Sequence, residues 1–374
     1  MKYLDTERMG PQAEALSTEL EKLVIGQTRA KAAITRAFQL GTTNLTNPRY
    51  PIGSFLFLGP TGVGKTLVGE AVGVALWGEV KMNEEPLVTV IECAEFQQSH
   101  EINKLVGAAP GMIGHKSTKP LLSQSHIDRS HGSDLKLSIV IFNEFEKADF
   151  ALQQLMLGVL DNATLTLGDC RKTNFSRTIF IFTCNIGARR YHSYKRSLGF
   201  ASHLPRENIS ETHAAVIEDA RRFFLPEFLN RITEIIPFDT LNEEETRQII
   251  ELELAQASLR IKRRYGIETH LTLEAKKHVL AMATDKAYGA RPIKRYIEKT
   301  IVERMARIIT SGQVNGGEIV IADKVPGLPG FAFSNHAPYF HDPSEQEVER
   351  LAGAKRDDFL YQDEPESAMA SNAH

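Results

Sequence analysis

The chain has 374 residues, enough for two domains and terminal segments. Hydrophobic residues make up 42% and charged residues 24%, and the formal net charge of −3 gives no overall reason to expect a protein that binds nucleic acid or a membrane surface. No apolar run is long enough for a membrane span, the N-terminus lacks the apolar core of a signal peptide, and the three cysteines lack metal-ligand spacing. These features predict a cytoplasmic protein.

Two helices are the first predicted elements. Residues 1–22 are polar, and apolar spacing begins only at Leu16, so we expect a loose lead that ends in a short helix. Apolar residues then recur with helical spacing over residues 28–40, which predicts an amphipathic helix. Turn-forming residues at 44–51 separate this helix from the first strand.

A glycine-rich loop follows the apolar run at residues 55–58. Residues 59–66 fit the phosphate-loop pattern G-x-x-x-x-G-K-[ST] and precede a helical segment, which is the setting that the pattern requires. Glycines let backbone N–H groups turn around a polyphosphate at the positive end of a helix. The Lys65 ammonium would reach the β- and γ-phosphates of ATP and the Thr66 hydroxyl would ligate Mg²⁺, whereas a turn without a ligand is the alternative. The predicted nucleotide-binding residues of this stretch are Gly59, Thr61, Gly62, Val63, Gly64, Lys65, Thr66 and Leu67.

Three further apolar runs predict the rest of a sheet. They are rich in β-branched residues, are separated by helical stretches, and lie at residues 87–91, 139–142 and 178–183. Nearly continuous apolar strands indicate burial on both faces of a parallel sheet. The predicted fold class is therefore α/β, with a nucleotide-binding domain over residues 23–240. Two polar interruptions within it, at 115–137 and 191–212, are expected to be exposed loops, the first with up to one helical turn.

From Asn242 onward the sequence pattern changes from buried strands to mainly amphipathic helices. A capped helix from that residue, further helices at 273–284 and 291–310, and a closing strand at 318–321 predict a small, mainly helical domain over residues 241–324. Residues 325–374 are rich in Pro, Gly, Ser and acidic side chains, so this tail is expected to be largely disordered.

A resemblance to a known family rests on several motifs in a fixed order. At residues 139–144 an apolar strand ends in Asn143-Glu144, where a nucleotide-hydrolysing domain places its Mg²⁺ ligand and general base. Over roughly residues 20–322 the chain resembles the C-terminal ATPase module of ClpA, ClpB and ClpC, which are Clp unfoldases of the AAA+ class. The motifs are VIGQ at 24–27, the phosphate loop, GAAPGMIG at 107–114, NEFEKA at 143–148, VLDN at 159–162, TCN at 183–185, FLPEFLNR at 224–231 and YGARP at 288–292.

The resemblance implies a fold and a set of catalytic roles. The fold would be a large phosphate-loop AAA+ domain with a small helical lid domain. Glu144 would orient and deprotonate the attacking water, and Asn185 would act as a first sensor of the γ-phosphate. Arg231 resembles the arginine finger that reaches into a neighbouring subunit's site. Arg291 resembles the second sensor, which couples the phosphate to the small domain.

Other implied contacts involve the base, the metal and a protein substrate. Val24 and Ile25 would contact adenine. Asn143 stands where the family has Asp, so it would hold Mg²⁺ less firmly than a carboxylate does. In the pore loop, Met112 and Ile113 replace the aromatic residue and Val of the family's Gly-aromatic-Val-Gly motif. The flexible Met112 could still contact a translocated polypeptide, and a plain glycine-bounded loop is the alternative.

The implied partners follow from the same comparison. A finger that acts in trans predicts a homo-oligomer, with a hexameric ring as the family's form. The tripeptide Leu198-Gly199-Phe200 matches the hydrophobic-Gly-hydrophobic loop with which ClpA and ClpC dock the ClpP peptidase. A loop end that packs on its own domain is the alternative for this tripeptide. Substrate choice would come from an adaptor, the lead or the tail.

Three functions remain open from the sequence. The leading hypothesis is a Clp-type motor that hydrolyses ATP between subunits and pulls polypeptide through a pore. The first alternative is a nucleotide-gated scaffold or regulator that hydrolyses little because of Asn143. The minor alternative is a nucleic-acid remodelling ATPase, suggested by basic residues in the two interruptions.

Overall fold

The computed structural model describes residues 5, 8–78, 86–108, 111, 119–132, 135–188, 190, 206–283, 290–325 and 330–335. Contacts divide the chain into two compact units, Met1–Ile249 with Leu280–Arg295, and Ile250–Val279 with Tyr296–His374. The domain boundaries drawn from the sequence stay predictions. Within the described ranges, no helix has both the length and the apolar character needed to cross a membrane.

A parallel sheet of five strands organises the first unit. Its strands are β1 (Gly53–Leu58), β2 (Thr89–Glu92), β3 (Ser138–Asn143), β6 (Thr178–Cys184) and β7 (Glu234–Pro237), whereas β4 (Thr164–Thr166) and β5 (Lys172–Asn174) form a separate antiparallel pair. The order across the sheet is β2-β3-β6-β1-β7. This topology confirms the predicted parallel α/β class. The strand β7 was not predicted, because four residues are too few to show a pattern.

Strand register brings the carboxyl ends of four strands to one edge of the sheet. Leu58 lies opposite Cys184, and Glu92 lies opposite Asn143. The residues that follow β1, β3 and β6 therefore emerge side by side. In a parallel α/β sheet this edge is where ligands bind.

Eight helices belong to the N-terminal part of the described chain. They are α1 (Pro11–Leu23), α2 (Thr28–Thr43), α3 (Lys65–Trp77), α4 (Asn103–Val106), α5 (Gln124–Ile127), α6 (Phe150–Asn162), α7 (Arg206–Phe223) and α8 (Pro226–Leu229).

Two expectations about the N-terminal part of the chain hold only in part. The short helix expected at the end of the lead is α1, which begins earlier, at Pro11, and buries Ala13, Leu16 and Leu20 against the core. A proline in its first turn, compatible with a helix start, marks where it begins. In the interruption at 115–137 the single turn α5 agrees with the expectation, whereas Leu122 and Ile127 are buried and not exposed.

Alternate residues of each central strand belong to two apolar clusters, one on each face of the sheet. Phe55, Phe57 and the isoleucines of β3 and β6 pack with α1, α2 and α3. Leu56, Phe142 and Phe182 pack on the other side with α6, α7 and α8. Aromatic rings dominate this second cluster, and it fixes the strands whose ends carry the candidate site.

The C-terminal part of the chain contains the remaining elements. They are α9 (Glu243–Tyr265), β8 (Glu268–Leu271), α10 (Leu273–Ala283), α11 (Arg291–Ile297), a π-helical segment (Glu298–Val302), α12 (Glu303–Thr310), β9 (Ile319–Asp323) and β10 (Ala332–Asn335). The predicted single helix at 291–310 is thus interrupted. A three-stranded sheet has the order β10-β9-β8. Disorder was expected from residue 325, but Ala332–Asn335 pairs with β9, since backbone hydrogen bonding does not depend on the composition of the flanking tail.

Phe228 offers a test of the aromatic cluster. It is 0% exposed, and its ring centroid lies 5.2 Å from Phe145 and 5.4 Å from Phe182. We expect Phe228→Ala to lower the free energy of unfolding by about 3–5 kcal/mol, because it removes apolar contacts and leaves a cavity. Chemical denaturation measures this change. The control is Phe150→Ala at a 58% exposed ring, which should cost less than about 1 kcal/mol, and equal losses would contradict the assignment of this core.

Candidate nucleotide-binding site

The phosphate loop joins β1 to α3 through glycines with left-handed backbone. Gly62 has a φ of 78° and Gly64 a φ of 96°, conformations that favour glycine. The helix begins at Lys65, so its free N–H groups and the positive end of its dipole face the loop. The backbone N–H of Ala290 donates to Gly62 O at 2.9 Å, which ties the chain before Arg291 to this loop.

Lys65 is a buried cation at the centre of the site. Its Nζ donates to Gly59 O at 2.8 Å, Pro60 O at 2.7 Å and Asn185 Oδ1 at 3.0 Å. Only 7% of the residue is exposed. Burial lowers the pKa of Lys65 to about 8, opposed by nearby anionic groups and assisted by the Arg291 charge. An anion placed beside a buried ammonium stabilises the charged form of the amine.

Asn143 links three strand ends through one carboxamide. Its Oδ1 accepts hydrogen bonds from Thr66 Oγ1 and Thr183 Oγ1, each at 2.7 Å. Its Nδ2 donates to Glu92 Oε1 at 3.1 Å and Oε2 at 2.8 Å. The predicted metal-binding pair, Thr66 and Asn143, is therefore in direct contact.

Glu144 begins the turn after β3 with a left-handed φ of 55°. Its backbone N–H donates to Thr183 Oγ1 at 3.0 Å, which anchors this uncommon conformation. The carboxylate pairs with Lys147, and Asn185 Nδ2 lies 3.5 Å from Oε1. The Lys147 hydrogen bond and charge lower the pKa of Glu144 in spite of its partial burial. Glu144 is thus held as a carboxylate, the form that a general base requires.

Asn185 is held in place by the carboxylate of Glu146, a residue of the NEFEKA motif for which no role was predicted. Glu146 Oε1 accepts from the backbone N–H of Asn185 at 3.1 Å and from its Nδ2 at 2.9 Å. Glu146 Oε2 is buried and has no hydrogen-bond partner among the described residues. The contact orients the amide so that Oδ1 faces Lys65. Asn185 therefore lies between the buried cation and Glu144.

Several contributing residues were not foreseen as part of the site. Glu146 and Lys147 stand in the NEFEKA motif and Thr183 in TCN, but only their neighbours were given roles. Glu92 ends a strand next to β3, and a polar residue at such a strand end was the available signal. Spacing along the chain cannot show that it pairs with Asn143.

The side chain of Arg231 contacts residues other than those around Lys65 and Glu144. Its Nε lies 2.6 Å from Asp161 Oδ1, an ion pair without hydrogen-bond alignment, and its Nη1 donates to Glu227 O at 2.5 Å. Within the described residues, none of these contacts is with Glu144 or Asn185. The structure of one chain does not bring the predicted finger to its own site.

The predicted adenine contacts lie beside the phosphate loop. Val24 is buried in the core with α1 and α2, whereas Ile25 is partly exposed. The next turn is attached to the loop, because Gln27 Nε2 donates to Val63 O at 3.2 Å and to Asp239 O at 3.0 Å. Thr61 is partly exposed and Leu67 is 47% exposed at the start of α3.

Two groups of predicted site residues lie outside the described residues. They are the pore pair Met112 and Ile113, and the docking tripeptide Leu198-Gly199-Phe200.

Known families match both parts of the chain. The family described as AAA domain (Cdc48 subfamily) matches residues 50–235, and the C-terminal, D2-small domain of ClpB protein matches residues 241–322. The chain belongs to the AAA+ ATPases of the Clp type. The order of the two matches confirms the predicted pair of a phosphate-loop AAA+ domain and a small C-terminal domain, and nucleotide binding follows from the family.

Individual relatives agree with this assignment. The ATP-dependent Clp protease ATP-binding subunit ClpC of Staphylococcus saprophyticus is 33% identical over 307 residues, 82% of this chain and 36% of ClpC. Chaperone protein ClpB of Aquifex aeolicus is 35% identical over 312 residues, 83% of this chain and 30% of ClpB. A closed-state cryo-EM reconstruction of Hsp104 with ATPγS and FITC casein superposes with a TM-score of 0.72 at 28% identity, covering 87% of this chain and 52% of that one. The chain spans about a third of the length of ClpC and ClpB.

The pKa of Lys65 predicts a specific pH dependence of stability. Between pH 8 and about 10.5 the unfolded chain keeps a proton on this amine that the folded protein has released, so the free energy of unfolding rises with pH. Relative to Lys65→Met, the nucleotide-free wild type should gain up to about 3 kcal/mol across this range. Urea denaturation at a series of pH values measures the difference.

The matched control is the exposed Lys172. Lys172→Met removes a lysine from the protein surface and shows what the loss of a lysine outside the site does to stability. Parallel profiles for wild type and Lys65→Met would show that the ammonium is not desolvated.

Proposed function

We propose that this chain is an ATP-driven protein-remodelling motor of the Clp type. The observation that carries the proposal is the meeting of Lys65, Thr66, Asn143, Glu144 and Asn185 at one edge of the sheet. These side chains supply a phosphate-binding cation, metal-binding oxygens, a carboxylate base and a hydrogen-bonding sensor. Such a set serves phosphoryl transfer to water.

Lys65 binds the phosphates by exchanging partners. Its ammonium donates to two loop carbonyls and to Asn185, and phosphate oxygens would take the place of these acceptors. Phosphate oxygens are stronger acceptors than neutral carbonyls and restore the charged state that burial disfavours. The glycine turns leave backbone N–H groups free to line the same anion.

The residues beside Lys65 fit a bound Mg²⁺. Thr66 Oγ1 and Asn143 Oδ1 are oxygen donors in contact with each other, and Mg²⁺ prefers oxygen ligands. When bound, Mg²⁺ neutralises charge on the β- and γ-phosphates. Asn143 would contribute an oxygen without a formal charge.

Glu144 and Asn185 act on the attacking water. The Glu144 carboxylate accepts its proton after the Lys147 contact is released, and Asn185 holds the water or the γ-phosphate from the other side. Glu146 keeps Asn185 in position through two hydrogen bonds. The base and the sensor therefore belong to one hydrogen-bond network.

Arg231 completes the site of a neighbouring subunit. Its engagement by Asp161 and Glu227 within the chain supports a finger presented on the subunit surface rather than folded into its own site. A head-to-tail interface of this type closes into a ring, for which six subunits are proposed from the family resemblance. Met112 and Ile113 would contact polypeptide in the pore, and Leu198-Gly199-Phe200 would dock a ClpP-like peptidase.

A nucleotide-gated scaffold is the second candidate, and Asn143 favours it. A neutral amide at the metal position weakens Mg²⁺ binding and with it hydrolysis. The protein would then bind ATP, assemble, and turn over slowly.

ATP turnover separates the two functions. For the motor we expect measurable hydrolysis in the wild type, at least a hundredfold loss in Glu144→Gln because the base is removed, and ring-sized particles by light scattering with ATP. Lys65→Met serves as the control that loses nucleotide binding itself. Tight nucleotide binding without turnover, together with turnover gained in Asn143→Asp, would instead establish the scaffold.

Mixing two inactive variants tests the finger in trans. Glu144→Gln and Arg231→Ala should each be inactive alone, because one lacks the base and the other lacks the finger. In mixed rings, about a quarter of the interfaces pair an intact Glu144 with an intact Arg231, so a matching part of the wild-type rate should return. Steady-state hydrolysis of the mixture measures it. Absence of any recovery in co-assembled rings would place Arg231 outside the catalytic interface.

A further inference from the structure

The carboxamide of Asn143 has an orientation that its surroundings determine. A carboxylate only accepts hydrogen bonds, so the Glu92 side chain must face the NH₂ end of the amide. Oδ1 is thereby directed between the hydroxyls of Thr66 and Thr183. Glu92 thus decides which atom of Asn143 faces the metal position.

The same contact places a negative charge beside a neutral residue. Glu92 Oε2 lies 2.8 Å from Asn143 Nδ2, so the two side chains together carry one charge. An aspartate at position 143 would put two carboxylates at this distance, and two like charges so close disfavour each other's ionised forms. Asn143 and Glu92 are therefore compatible as a pair, with the charge on β2 instead of β3.

Glu92 also lies where a ligand can reach it. The residue is exposed at the end of β2, whereas its neighbours Ile91 and Cys93 are buried and hold the backbone in place. Its carboxylate can turn from the amide towards a cation without disturbing the core. Mg²⁺ in nucleotide sites is held by one or two carboxylates together with phosphate oxygens and water.

We propose that Glu92 supplies, from the end of β2, the carboxylate charge for nucleotide-bound Mg²⁺ that Asn143 cannot supply from the end of β3. This inference rests on the proposed ATP-binding function. It assigns the metal position three side chains, Thr66, Asn143 and Glu92, instead of the predicted two. Hydrolysis by this chain then does not require an aspartate at position 143.

Nucleotide affinity with and without metal tests the proposal. The probe is a fluorescent, non-hydrolysable ATP analogue, titrated in EDTA and in excess MgCl₂. Glu92→Gln keeps an acceptor for the Asn143 amide but removes the charge. We expect it to lose about 10–100-fold of the Mg²⁺-dependent gain in affinity, and to keep the wild-type affinity in EDTA. The charge swap Asn143→Asp with Glu92→Gln should recover the gain.

Two further variants separate charge from structure. Glu95→Gln removes an exposed carboxylate of the same segment and should behave as wild type. Glu92→Ala removes both the charge and the acceptor. If Glu92→Gln keeps the full Mg²⁺ effect and only Glu92→Ala loses it, Glu92 merely orients Asn143 and the proposal is wrong. If the wild type binds no nucleotide in either buffer, the proposed ATP-binding function fails and the inference fails with it.

Discussion

The buried ammonium of Lys65 is the interaction on which the rest of the site depends. Because the Lys65 residue is only 7% exposed, its ammonium loses hydration, which costs free energy. The hydrogen bonds to Gly59, Pro60 and Asn185 offset part of that cost. The carbonyls are available only because the loop turns at its glycines. Asn185 is available only because Glu146 holds its amide. The buried cation therefore connects the loop to the sensor through direct hydrogen bonds.

Charge around this cation is distributed over several strand ends. Glu144 and Glu146 lie near Lys65 and support its charged form, while Arg291 opposes it. Lys147 forms an ion pair with Glu144, and the Asn143 amide donates hydrogen bonds to Glu92. Each carboxylate at the edge thus has a partner that a nucleotide with its metal could replace. A bound anion would compete for the Lys65 contacts, and a bound cation would compete for the carboxylate contacts.

The sequence predicted the parts of this structure whose signal is local. The phosphate loop, the buried strands and the order of motifs were sufficient for the parallel sheet, the AAA+ fold and the neighbourhood of Lys65, Asn143 and Asn185. The features that were not predicted from the sequence depend on contacts between residues far apart in the chain. Glu92 meets Asn143 only through strand register, and the short strand Glu234–Pro237 is defined by pairing with β1 rather than by its own pattern. The strand Ala332–Asn335 likewise exists because β9 offers it a free edge.

The choice between a motor and a scaffold is a question of charge rather than of fold. Both functions use the same sheet, the same loop and the same base, and they differ in how firmly a divalent cation is held beside the γ-phosphate. A neutral Asn143 considered alone favours the scaffold. With Glu92 hydrogen-bonded to its amide, a carboxylate lies one strand away from the proposed metal position, so a neutral Asn143 does not by itself argue against hydrolysis. The electrostatics of Asn143 cannot be judged from that residue alone, because in this fold the neighbouring strand end contributes to the same site.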